Sequence, residues 1–428
     1  MQDEHRPGPP ANWAGNVVFS AGDVHRPRSV TALQALVARS RRVRALGTGH
    51  SFSPIADTPG TLVATADLPP LVEIDSERAT VLTGGGVRYG DLARRLHAAG
   101  YALANLGSLP HISVAGACAT ASHGSGDANG GLATAVSGLE LVTAAGDLVT
   151  VSREADGDRF RGAVVGLGSL GIVTALTLDL VPAFEVRQHV YEGLPAAELP
   201  AHFGEIFASA YSVSVFTDWQ GDRHRQLWLK QRTLDPAPAA PGRGWHGARP
   251  ATGPVNPVPG MDPVNCTAQM GVPGPWHERL PHFRPDFVPS SGEELQSEYL
   301  LPRRATRPAL AALASLAGRL APALQICEIR TVAPDDLWLS PSYQRDTVAL
   351  HFTWVRDEAA VAPAIGAVES ELAPLGARPH WGKLTTVAPA GVSGQYPRWE
   401  DFAALLAEFD PAGKFRNDYI DRFFPPGT

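Results

Sequence analysis

The segment from Gly107 to Gly126 constrains the fold of this chain more than any other stretch. It consists almost entirely of small and hydroxyl-bearing residues with hardly any charge, in the order Gly-Ser-Leu-Pro-His-Ile-Ser-Val-Ala-Gly-Ala-Cys-Ala-Thr-Ala-Ser-His-Gly-Ser-Gly. This composition gives neither the apolar stripe of an amphipathic helix nor the alternation of a strand with one buried face. We therefore expect an irregular segment that wraps closely around something polar and extended.

A second glycine-rich loop, Gly47-Thr48-Gly49-His50-Ser51, follows a short apolar stretch that is typical of a strand, residues 41–46. Its glycines permit backbone conformations and close approaches that a Cβ atom would block. Its backbone N–H groups suit phosphate oxygens, and an imidazole stands at the far end. Gly-x-Gly pairs are usually simple turns, and a lone loop histidine is usually bonded to its own loop, so this loop alone indicates no function.

Length, charge and cysteine content limit the class of protein. A chain of 428 residues is too long for one ordinary core and predicts two or three domains. The net charge of -7 argues against nucleic acid or an anionic membrane as the main partner. Cys118, Cys266 and Cys327 are far apart and show no Cys-x-x-Cys spacing, so neither a disulfide framework nor a zinc site is predicted. The first residues lack the apolar core of a signal peptide, and no later run is long and apolar enough to span a bilayer, so we expect a cytoplasmic protein.

Hydrophobic periodicity predicts alternating strands and helices along the chain. In the first part we expect a strand at 12–20, a helix from Val30 capped by Ser29, a helix at 89–99, a hairpin at 139–151 and a strand at 172–180. In the second part we expect helices at 196–211, 309–320, 361–372 and 402–408, and strands at 213–216, 227–230, 325–332 and 347–355. The stretch 235–263 is rich in Pro and Gly and is predicted to be a long ordered loop or a flap over the site.

Together the two glycine-rich loops resemble the diphosphate- and ring-binding segments of the vanillyl-alcohol-oxidase type of FAD enzyme. Within that superfamily the chain most resembles the alditol (xylitol) oxidases, from Asn12-Trp13-Ala14-Gly15-Asn16 to Asp410-Pro411-Ala412-Gly413-Lys414-Phe415, which is nearly its whole length. The resemblance implies an α+β fold of two domains. These are an FAD-binding domain at residues 1–182 and a mixed-sheet substrate or cap domain at 183–395, with a C-terminal segment, 396–428, that returns to the flavin domain.

The resemblance implies FAD as the cofactor, covalently attached through a nitrogen of His50 to the flavin 8α carbon. It places further cofactor contacts at Gly47, Thr48, Gly49, Ser51, Ser108, Ser113, Gly116, Thr120, Ala121, Ser122, His123 and Ile172. Hydroxyls and bare amides suit a buried diphosphate better than lysines would, because they need no counter-charge. The small residue Gly107 would leave the reactive edge of the flavin open to dioxygen.

Polar side chains in three separate stretches are candidates for binding the substrate. Glu328 and Arg330 in Cys-Glu-Ile-Arg share one face of a strand, as do His351 and Thr353 in His-Phe-Thr-Trp, because residues i and i+2 point the same way. A structural ion pair on an exposed face is the commoner use of a pair such as Glu328 and Arg330. Against that alternative, the resemblance places a polyol, whose hydroxyls need alternating donors and acceptors, against Ser108, Glu328, Arg330, His351, Thr353 and Lys383.

The implied reaction is hydride transfer from the terminal carbinol carbon of the polyol to flavin N5, followed by reduction of dioxygen to hydrogen peroxide. The candidate catalytic residues are Lys383, His351 and Arg330, with Lys383 or His351 accepting the hydroxyl proton or stabilising its developing charge. A free lysine is protonated near neutral pH. Lys383 therefore either has a pKa lowered by burial and Arg330 or acts only electrostatically. The expected partners are a small polyol and dioxygen, and the family implies a monomer.

Three alternatives remain open at this point. An aldonolactone oxidoreductase shares the Gly-x-Gly-His loop and an element like His-Trp-Gly-Lys, whereas Ser-Leu-Pro-His-Ile-Ser-Val-Ala-Gly together with His-Phe-Thr-Trp resembles the alditol group. A non-catalytic binding protein is disfavoured because every polar site residue is present, and nothing in the sequence excludes a flavin dehydrogenase that reacts poorly with oxygen.

No metal is expected, since Trp276-His277-Glu278-Arg279 lacks the second histidine of a zinc helix. Arg416 and Asp418 depart from the family pattern in the tail and bear on its contact with the flavin.

Overall fold

The computed structural model describes residues 10–235, 245–287 and 292–426. Residues 1–9, where no signal peptide is expected, lie outside the described residues, as does part of the Pro- and Gly-rich stretch at 235–263.

The first part of the chain forms a small parallel sheet and a five-stranded antiparallel sheet. The strands are β1 Val24–His25, β2 Val43–Leu46, β3 Thr61–Ala64, β4 Val72–Asp75, β5 Thr80–Gly84, β6 Tyr101–Ala102, β7 Val136–Val142, β8 Leu148–Ser152, β9 Ile172–Asp179 and β10 Val181–Pro182. The helices are α1 Val30–Arg39, α2 Tyr89–Ala98, α3 Val114–Ala119 and α4 Arg153–Val164. The parallel sheet has the order β1-β3-β2, the larger sheet has the order β4-β5-β9-β7-β8, and β6 pairs with β10.

The predicted unit of helix, strand and glycine loop is present. The side chain of Ser29 caps α1 by accepting from the N–H of Ala32 at 3.1 Å, which satisfies one of the free donors at a helix start. Leu33, Leu36 and Val37 are buried. The strand β2 then leads directly into the glycine loop, so packing of α1 fixes where that loop begins.

Two local predictions for this part are wrong. Residues 12–20 form no strand and make only an isolated pair between Ala11 and Val18, because the chain turns at Gly15, whose φ is 71°. The wrap at 107–126 contains the short helix α3, because Val114 and Cys118 lie on one buried side of it.

The second part of the chain is built on a nine-stranded sheet whose pairings among the described residues are all antiparallel. Its strands are β11 Glu185–Pro195, β12 Ser212–Thr217, β13 Arg223–Arg232, β14 Arg249–Pro250, β15 Gly274–Pro275, β16 Leu295–Pro302, β17 Leu324–Val332, β18 Thr347–Trp354 and β19 Arg378–Pro379. The order is β14-β11-β13-β12-β17-β18-β16-β19, and β15 pairs with β11. The helices of this part are α5 Glu198–Phe207, α6 Thr306–Ser315, α7 Ala317–Leu320 and α8 Glu358–Leu372.

The two faces of this sheet have different surroundings. Cys327, Ile329 and Leu350 share one hydrophobic core with Phe203 of α5 and Leu313 of α6. Side chains alternate along a strand, so Glu328, Arg330 and His351 lie on the other face. The helices therefore leave one face of the sheet free to form a site.

Several helix and strand bounds in this part depart from prediction, and strands β11, β14, β15 and β19 were not predicted. The helix expected at 309–320 is divided into α6 and α7. Strand β16 was not predicted, because its run Leu-Gln-Ser-Glu-Tyr carries polar residues at buried positions.

The end of the chain packs on the first part. After β19 come α9 Pro389–Ser393, α10 Trp399–Phe409 and α11 Asp418–Phe423. Phe402 of α10 and Ile420 of α11 belong to the same core cluster as Phe160 and Leu176. None of the helices within the described residues has the length and apolar character needed to cross a membrane.

Candidate active site

A large cavity lies between the glycine-rich loops of the first part and the free face of the nine-stranded sheet. It encloses about 1820 Å³ of empty space, part of which is open to solvent. One wall is formed by the glycine loop and the wrap, and the opposite wall by side chains of β16, β17 and β18. A cavity of this volume, lined by both parts of the chain, has room for an extended cofactor and a substrate.

The glycine loop and the wrap are in direct contact. The N–H of Ser113 donates to Oγ1 of Thr48 at 3.2 Å. A Cβ added at Gly47 would lie 2.3 Å from Oγ of Ser113, so the contact requires glycine. The N–H groups of Thr48, Gly49 and His50 donate to no acceptor within the described part of the chain. Free N–H groups in a cradle that side chains would fill suit the diphosphate of a dinucleotide.

His50 presents an unbonded nitrogen at this cavity. Its ring stacks on Trp13 with centroids 5.5 Å apart and planes inclined by 19°. Its Nδ1 is buried and has no hydrogen-bond partner among the described residues. Burial, with smaller contributions from His111, Arg88 and Lys383, lowers the pKa of His50 to about 4, and a hydrogen bond to the Thr48 backbone opposes this shift. The ring is therefore neutral at physiological pH and carries a free lone pair.

The loop that carries His50 is tied to the segment that carries Lys383. The N–H of Phe52 donates to the carbonyl of Gly382 at 2.7 Å, and Oγ of Ser53 donates to the carbonyl of Trp381 at 2.8 Å. Nζ of Lys383 lies 5.2 Å from the centre of the Phe52 ring. These bonds bring two segments that are distant in sequence to one end of the cavity.

The sheet side of the cavity consists of two adjacent rows of side chains that cross neighbouring strands. In the first row, Glu328 of β17 and Glu298 of β16 both pair with His351 of β18. In the second row, Thr353 of β18 pairs with Gln296 of β16. All five residues line the cavity. Strand register thus places carboxylate, imidazole, hydroxyl and amide groups side by side.

Lys383 and His351 share one partner within this wall. Lys383 donates to Oε1 of Gln296, Nε2 of His351 lies 3.0 Å from the same oxygen, and the two nitrogens are 3.3 Å apart. Burial lowers the pKa of Lys383 to about 8, and Arg330 lowers it further while Glu298 opposes the shift. Burial and the neighbouring Lys383 lower the pKa of His351 to about 3. Near neutral pH the imidazole is neutral and the amine is close to its titration point.

Arg330 lies between two buried carboxylates. It donates to Oε1 of Glu298 at 2.5 Å, and its Nε lies 3.7 Å from Oε2 of Glu328. Burial alone would raise the pKa of Glu328, but Arg330 and His282 outweigh it and hold this pKa well below its usual range. Glu298 is held ionised in the same way by Arg330 and His123, whose Nε2 lies 3.1 Å from its carboxylate. Glu328 and Arg330 therefore form a buried charge network and not an ion pair on an exposed face.

A buried chain of contacts supports Glu328 from behind. Nε2 of His282 lies 2.7 Å from Oε1 of Glu328, and Nδ1 of His282 lies 2.9 Å from Nζ of Lys230. That Nζ also donates to the carbonyls of Leu280 at 2.6 Å and Pro281 at 3.1 Å. Three acceptors match the three N–H groups of an ammonium. Burial lowers the pKa of His282 to about 4, so a neutral ring accepts from Lys230 and donates to Glu328.

The structure brings most of the sequence-derived candidates to this cavity. Its lining includes Gly47, Thr48, Gly49, His50, Ser51, Ser108, Ser113, Gly116, Thr120, Ser122, His123, Glu328, Arg330, His351, Thr353 and Lys383. Ala121 and Ile172 are not part of the lining, because Ala121 is buried in the core beneath the wrap and Ile172 packs in the core with Val142. The neighbours of Ile172, Gly171 and Val173, line the cavity instead.

Sequence patterns did not identify four residues of the site, which are Glu298, Gln296, His282 and Lys230. The alternation Gln-x-Glu in Leu-Gln-Ser-Glu-Tyr could have indicated a strand with a polar face, as in the two strands that were found. No local pattern distinguishes Lys230 or His282, since each becomes significant only through a contact across the fold. The tail residues 410–424, where Arg416 and Asp418 depart from the family pattern, do not line the cavity.

Comparison with known proteins finds similarity to two protein families and to several named enzymes. A model of the FAD binding domain matches residues 24–152, and a model of D-arabinono-1,4-lactone oxidase matches residues 293–423. The chain is 54% identical to the alditol oxidase of a Streptomyces species over 413 residues, which cover 96% of this chain and 97% of that protein. It is 30% identical to the L-gulono-1,4-lactone dehydrogenase of Mycobacterium tuberculosis over 451 residues, covering 97% of this chain and 99% of that protein.

The fold is also similar to solved structures. Two structures of cholesterol oxidase from Brevibacterium sterolicum, one of them a mutant, match with TM-scores of 0.76 and 0.77 at 16% identity. The match covers 97% of this chain and 96% of each of those chains. At this identity the similarity concerns the fold alone, and it agrees with the two-domain α+β fold expected from the sequence.

Proposed function

Because the chain belongs to the alditol oxidase family of FAD-dependent enzymes, we propose that it oxidises the terminal hydroxyl of alditols such as xylitol and sorbitol to aldoses and reduces dioxygen to hydrogen peroxide. The observation that carries this proposal is the wall of the cavity. Glu328, Arg330, His351, Thr353 and Lys383 face the same space as the His50 loop. A chain of hydroxyls needs both donors and acceptors along its length, and this wall provides both.

The backbone groups that line the first part of the cavity suit FAD. The free N–H groups around Gly49 suit the diphosphate, and the close approach of Gly47 to Ser113 builds a cradle without side chains. FAD held by these residues would supply the hydride-accepting and oxygen-reducing chemistry. The protein contributes position, charge and proton transfer.

We assign the covalent attachment of FAD to His50. The supporting features are a neutral ring, a buried Nδ1 without a partner and a stack on Trp13 that restricts rotation of the imidazole. A nitrogen must offer its lone pair to bond to the flavin 8α carbon. A protonated imidazole could not do so, whereas Nδ1 of His50 stays without a partner even though the ring also contacts the backbone of Thr48.

Glu328 and Arg330 are assigned to binding and orienting the polyol, together with Ser108 and Thr353. An ionised Glu328 accepts hydrogen bonds from hydroxyls, and Arg330 donates to them. NH1 of Arg330 also reaches Oγ of Ser108 at 3.5 Å, which links the sheet to the wrap. Two polar anchors on fixed strands orient the terminal carbon, and such positioning supplies part of the rate enhancement.

Lys383 is assigned as the group that accepts the hydroxyl proton. Its pKa of about 8 leaves a useful fraction of neutral amine near physiological pH, whereas the pKa of about 3 for His351 makes that ring a weak base. His351 and Gln296 then hold the Lys383 amine in place. Arg330 favours the neutral amine through its positive charge.

The decisive experiment is anaerobic addition of xylitol to the purified protein while the flavin absorbance is followed. Bleaching by xylitol, and peroxide formation when air is admitted, are expected. A flavin that xylitol leaves oxidised but that L-gulono-1,4-lactone bleaches would replace this proposal with a lactone oxidoreductase. That alternative is favoured by the match of residues 293–423 to the lactone oxidase model. Turnover with an artificial acceptor but not with oxygen would instead indicate a dehydrogenase.

We further propose the domain bounds, the cellular location and the oligomeric state. The domain bounds 1–182, 183–395 and 396–428 are supported by the start of the nine-stranded sheet at β11 and by the packing of α10 and α11 on the first part. A reducing, cytoplasmic location is supported by three free and buried cysteines. We propose a monomer on the family resemblance alone.

A further inference from the structure

Outside the cavity, two histidines and two glutamates converge on the outer surface of the second part. Glu198, His202 and Glu205 lie on α5, which departs from helical geometry at His202 (φ -117°, ψ 22°). The His202 ring nevertheless lies within 3.5 Å of both carboxylates. His246 approaches from the turn at 245–248. None of the four lines the cavity, so the proposed oxidation of alditols does not account for them.

The backbone holds His246 in an unusual conformation above α5. Its φ is 47°, in the left-handed region that side chains other than glycine rarely adopt. The turn is closed by a bond of 2.9 Å from the N–H of Ala248 to the carbonyl of Trp245, and the Trp245 ring lies 6.0 Å from the ring of Tyr191. The imidazole of His246 is only 12% exposed. Its ring centre is 4.5 Å from that of His202.

The distances within this cluster match those of ligands around one metal ion. Oε2 of Glu198 lies 3.4 Å from Nε2 of His202 and 3.8 Å from Nδ1 of His246. One ligand atom from each of these three residues fits within a span of 4.8 Å. In a tetrahedral zinc site, with metal–ligand bonds of about 2.0–2.1 Å, neighbouring ligand atoms are separated by about 3.4 Å.

The remaining nitrogen of each histidine faces the fourth residue. Nδ1 of His202 is 3.5 Å from Oε2 of Glu205, and Nε2 of His246 is 3.2 Å from Oε1 of the same carboxylate. Metal-binding histidines almost always direct their second nitrogen to a carboxylate, carbonyl or water, which fixes the tautomer. In the tautomer that carries its proton on the nitrogen nearer Glu205, each imidazole offers the lone pair of its other nitrogen toward Glu198, although Nε2 of His246 makes no hydrogen bond within the described part of the chain. Three lone-pair donors in such proximity provide a site for a cation between them.

We infer that Glu198, His202 and His246 bind Zn²⁺ or another borderline divalent transition metal, with Glu205 positioning both imidazoles. Imidazole nitrogens and a single carboxylate are ligands that suit such metals better than Ca²⁺ or Mg²⁺. Water completes the coordination. The metal joins α5 to the turn at 245–248, so it stabilises the outer layer of the second part without contacting the cavity.

The test uses the flavin-loaded enzyme without a histidine tag, stripped of metal by a chelator and titrated with Co²⁺ and Zn²⁺. We expect one Co²⁺ per chain with the visible absorption of a low-coordinate cobalt site, displacement of Co²⁺ by Zn²⁺, and a rise of several degrees in Tm with Zn²⁺, because a ligand of the folded state stabilises it. His202→Gln and His246→Gln should each abolish the cobalt spectrum. Glu205→Gln should weaken binding by about 10- to 100-fold.

The exposed residue His25 provides the matched control, since it lies in β1 and away from the cluster. His25→Gln should leave Co²⁺ binding unchanged, and all four variants should keep the oxidase activity. Absence of the cobalt spectrum in the wild-type enzyme would overturn the inference, as would a spectrum that persists in the His202→Gln and His246→Gln double variant. The outcome is independent of which alcohol the enzyme oxidises, because the readout is metal binding.

Discussion

Nε2 of His351 lies 3.3 Å from Nζ of Lys383, and both groups contact the side-chain oxygen of Gln296. The three side chains come from β18, the segment after β19, and β16. A buried amine with a neutral imidazole beside it can exchange a proton with a substrate hydroxyl. This relationship leads to the first prediction.

Replacing Lys383 with Met should lower kcat for xylitol by about 10²- to 10⁴-fold, the usual contribution of a general base. The base must be deprotonated, so kcat/KM of the wild-type enzyme should rise with pH and level off above about 8, the pKa of Lys383. His351→Gln should keep this rise, because the pKa of His351 is about 3 and its ring is neutral throughout the range. A rise that persists unchanged in Lys383→Met would exclude Lys383 as the base.

Replacing His50 with Ala should release the flavin from the protein on denaturation. Acid-precipitated wild-type protein should give a yellow pellet, and the variant should give a colourless pellet and a yellow supernatant. His25→Asn is a suitable control, because His25 is exposed in β1 and does not line the cavity. A yellow pellet from His50→Ala would show that the linkage is elsewhere.

His282→Phe should raise KM for xylitol by about 10- to 100-fold with a smaller effect on kcat. The change removes the hydrogen bond to the charged Glu328, and such bonds contribute about 1.5–3 kcal/mol. His282→Gln can still donate to Glu328 and should recover part of the loss. Steady-state kinetics at several polyol concentrations separate the two constants. Equal losses of kcat in both variants, with KM unchanged, would contradict a role in positioning Glu328.

The protein should lose stability as the pH falls from about 6.5 to 4. His224 is buried, both of its ring nitrogens lack partners among the described residues, and burial lowers its pKa to about 4. A lowered pKa means that the unfolded chain binds more protons in this window, so the free energy of unfolding decreases as pH falls. This one residue accounts for about 3 kcal/mol by pH 4.

The variant His224→Phe should therefore show a shallower acid transition in urea unfolding at several pH values. His25→Gln, at an exposed position, should follow the wild-type profile. If the slope between pH 6.5 and 4 is the same in His224→Phe and the wild type, His224 is not protonated on unfolding in the way its burial implies.

Gly107→Ala should fold normally and react more slowly with dioxygen. A Cβ at this position would meet nothing closer than the carbonyl oxygen of His123 at 3.7 Å, so the substitution causes no clash within the protein. By the family resemblance, the added methyl group would narrow the approach of dioxygen to the flavin. Turnover with an artificial acceptor should be retained while peroxide formation in air decreases, and a parallel decrease in both would indicate a general defect.

The parts of this site are local in sequence, but none of them indicates a function by itself, and their assignment to one site came from the family resemblance. The glycine loop, the wrap and the i, i+2 pairs at Glu328 and His351 each occur within a few residues, and each follows a backbone rule. The partners of those residues follow from tertiary packing. Glu298 reaches Arg330 only because β16, β17 and β18 are neighbours in the sheet, and the cluster around His202 needs a turn far along the chain. Hydrophobic periodicity carries no information on either contact.

The register of strands β16, β17 and β18 determines whether the folded protein has a functional cavity. A shift of one residue in β17 would turn Glu328 and Arg330 toward the helices and expose Ile329 to the cavity, because side chains alternate between the two faces. Until the last of these strands has joined the sheet, the cavity wall is incomplete. Bleaching of the bound flavin by xylitol would therefore report correct strand register. Chains that are compact but have a misaligned sheet would lack this response.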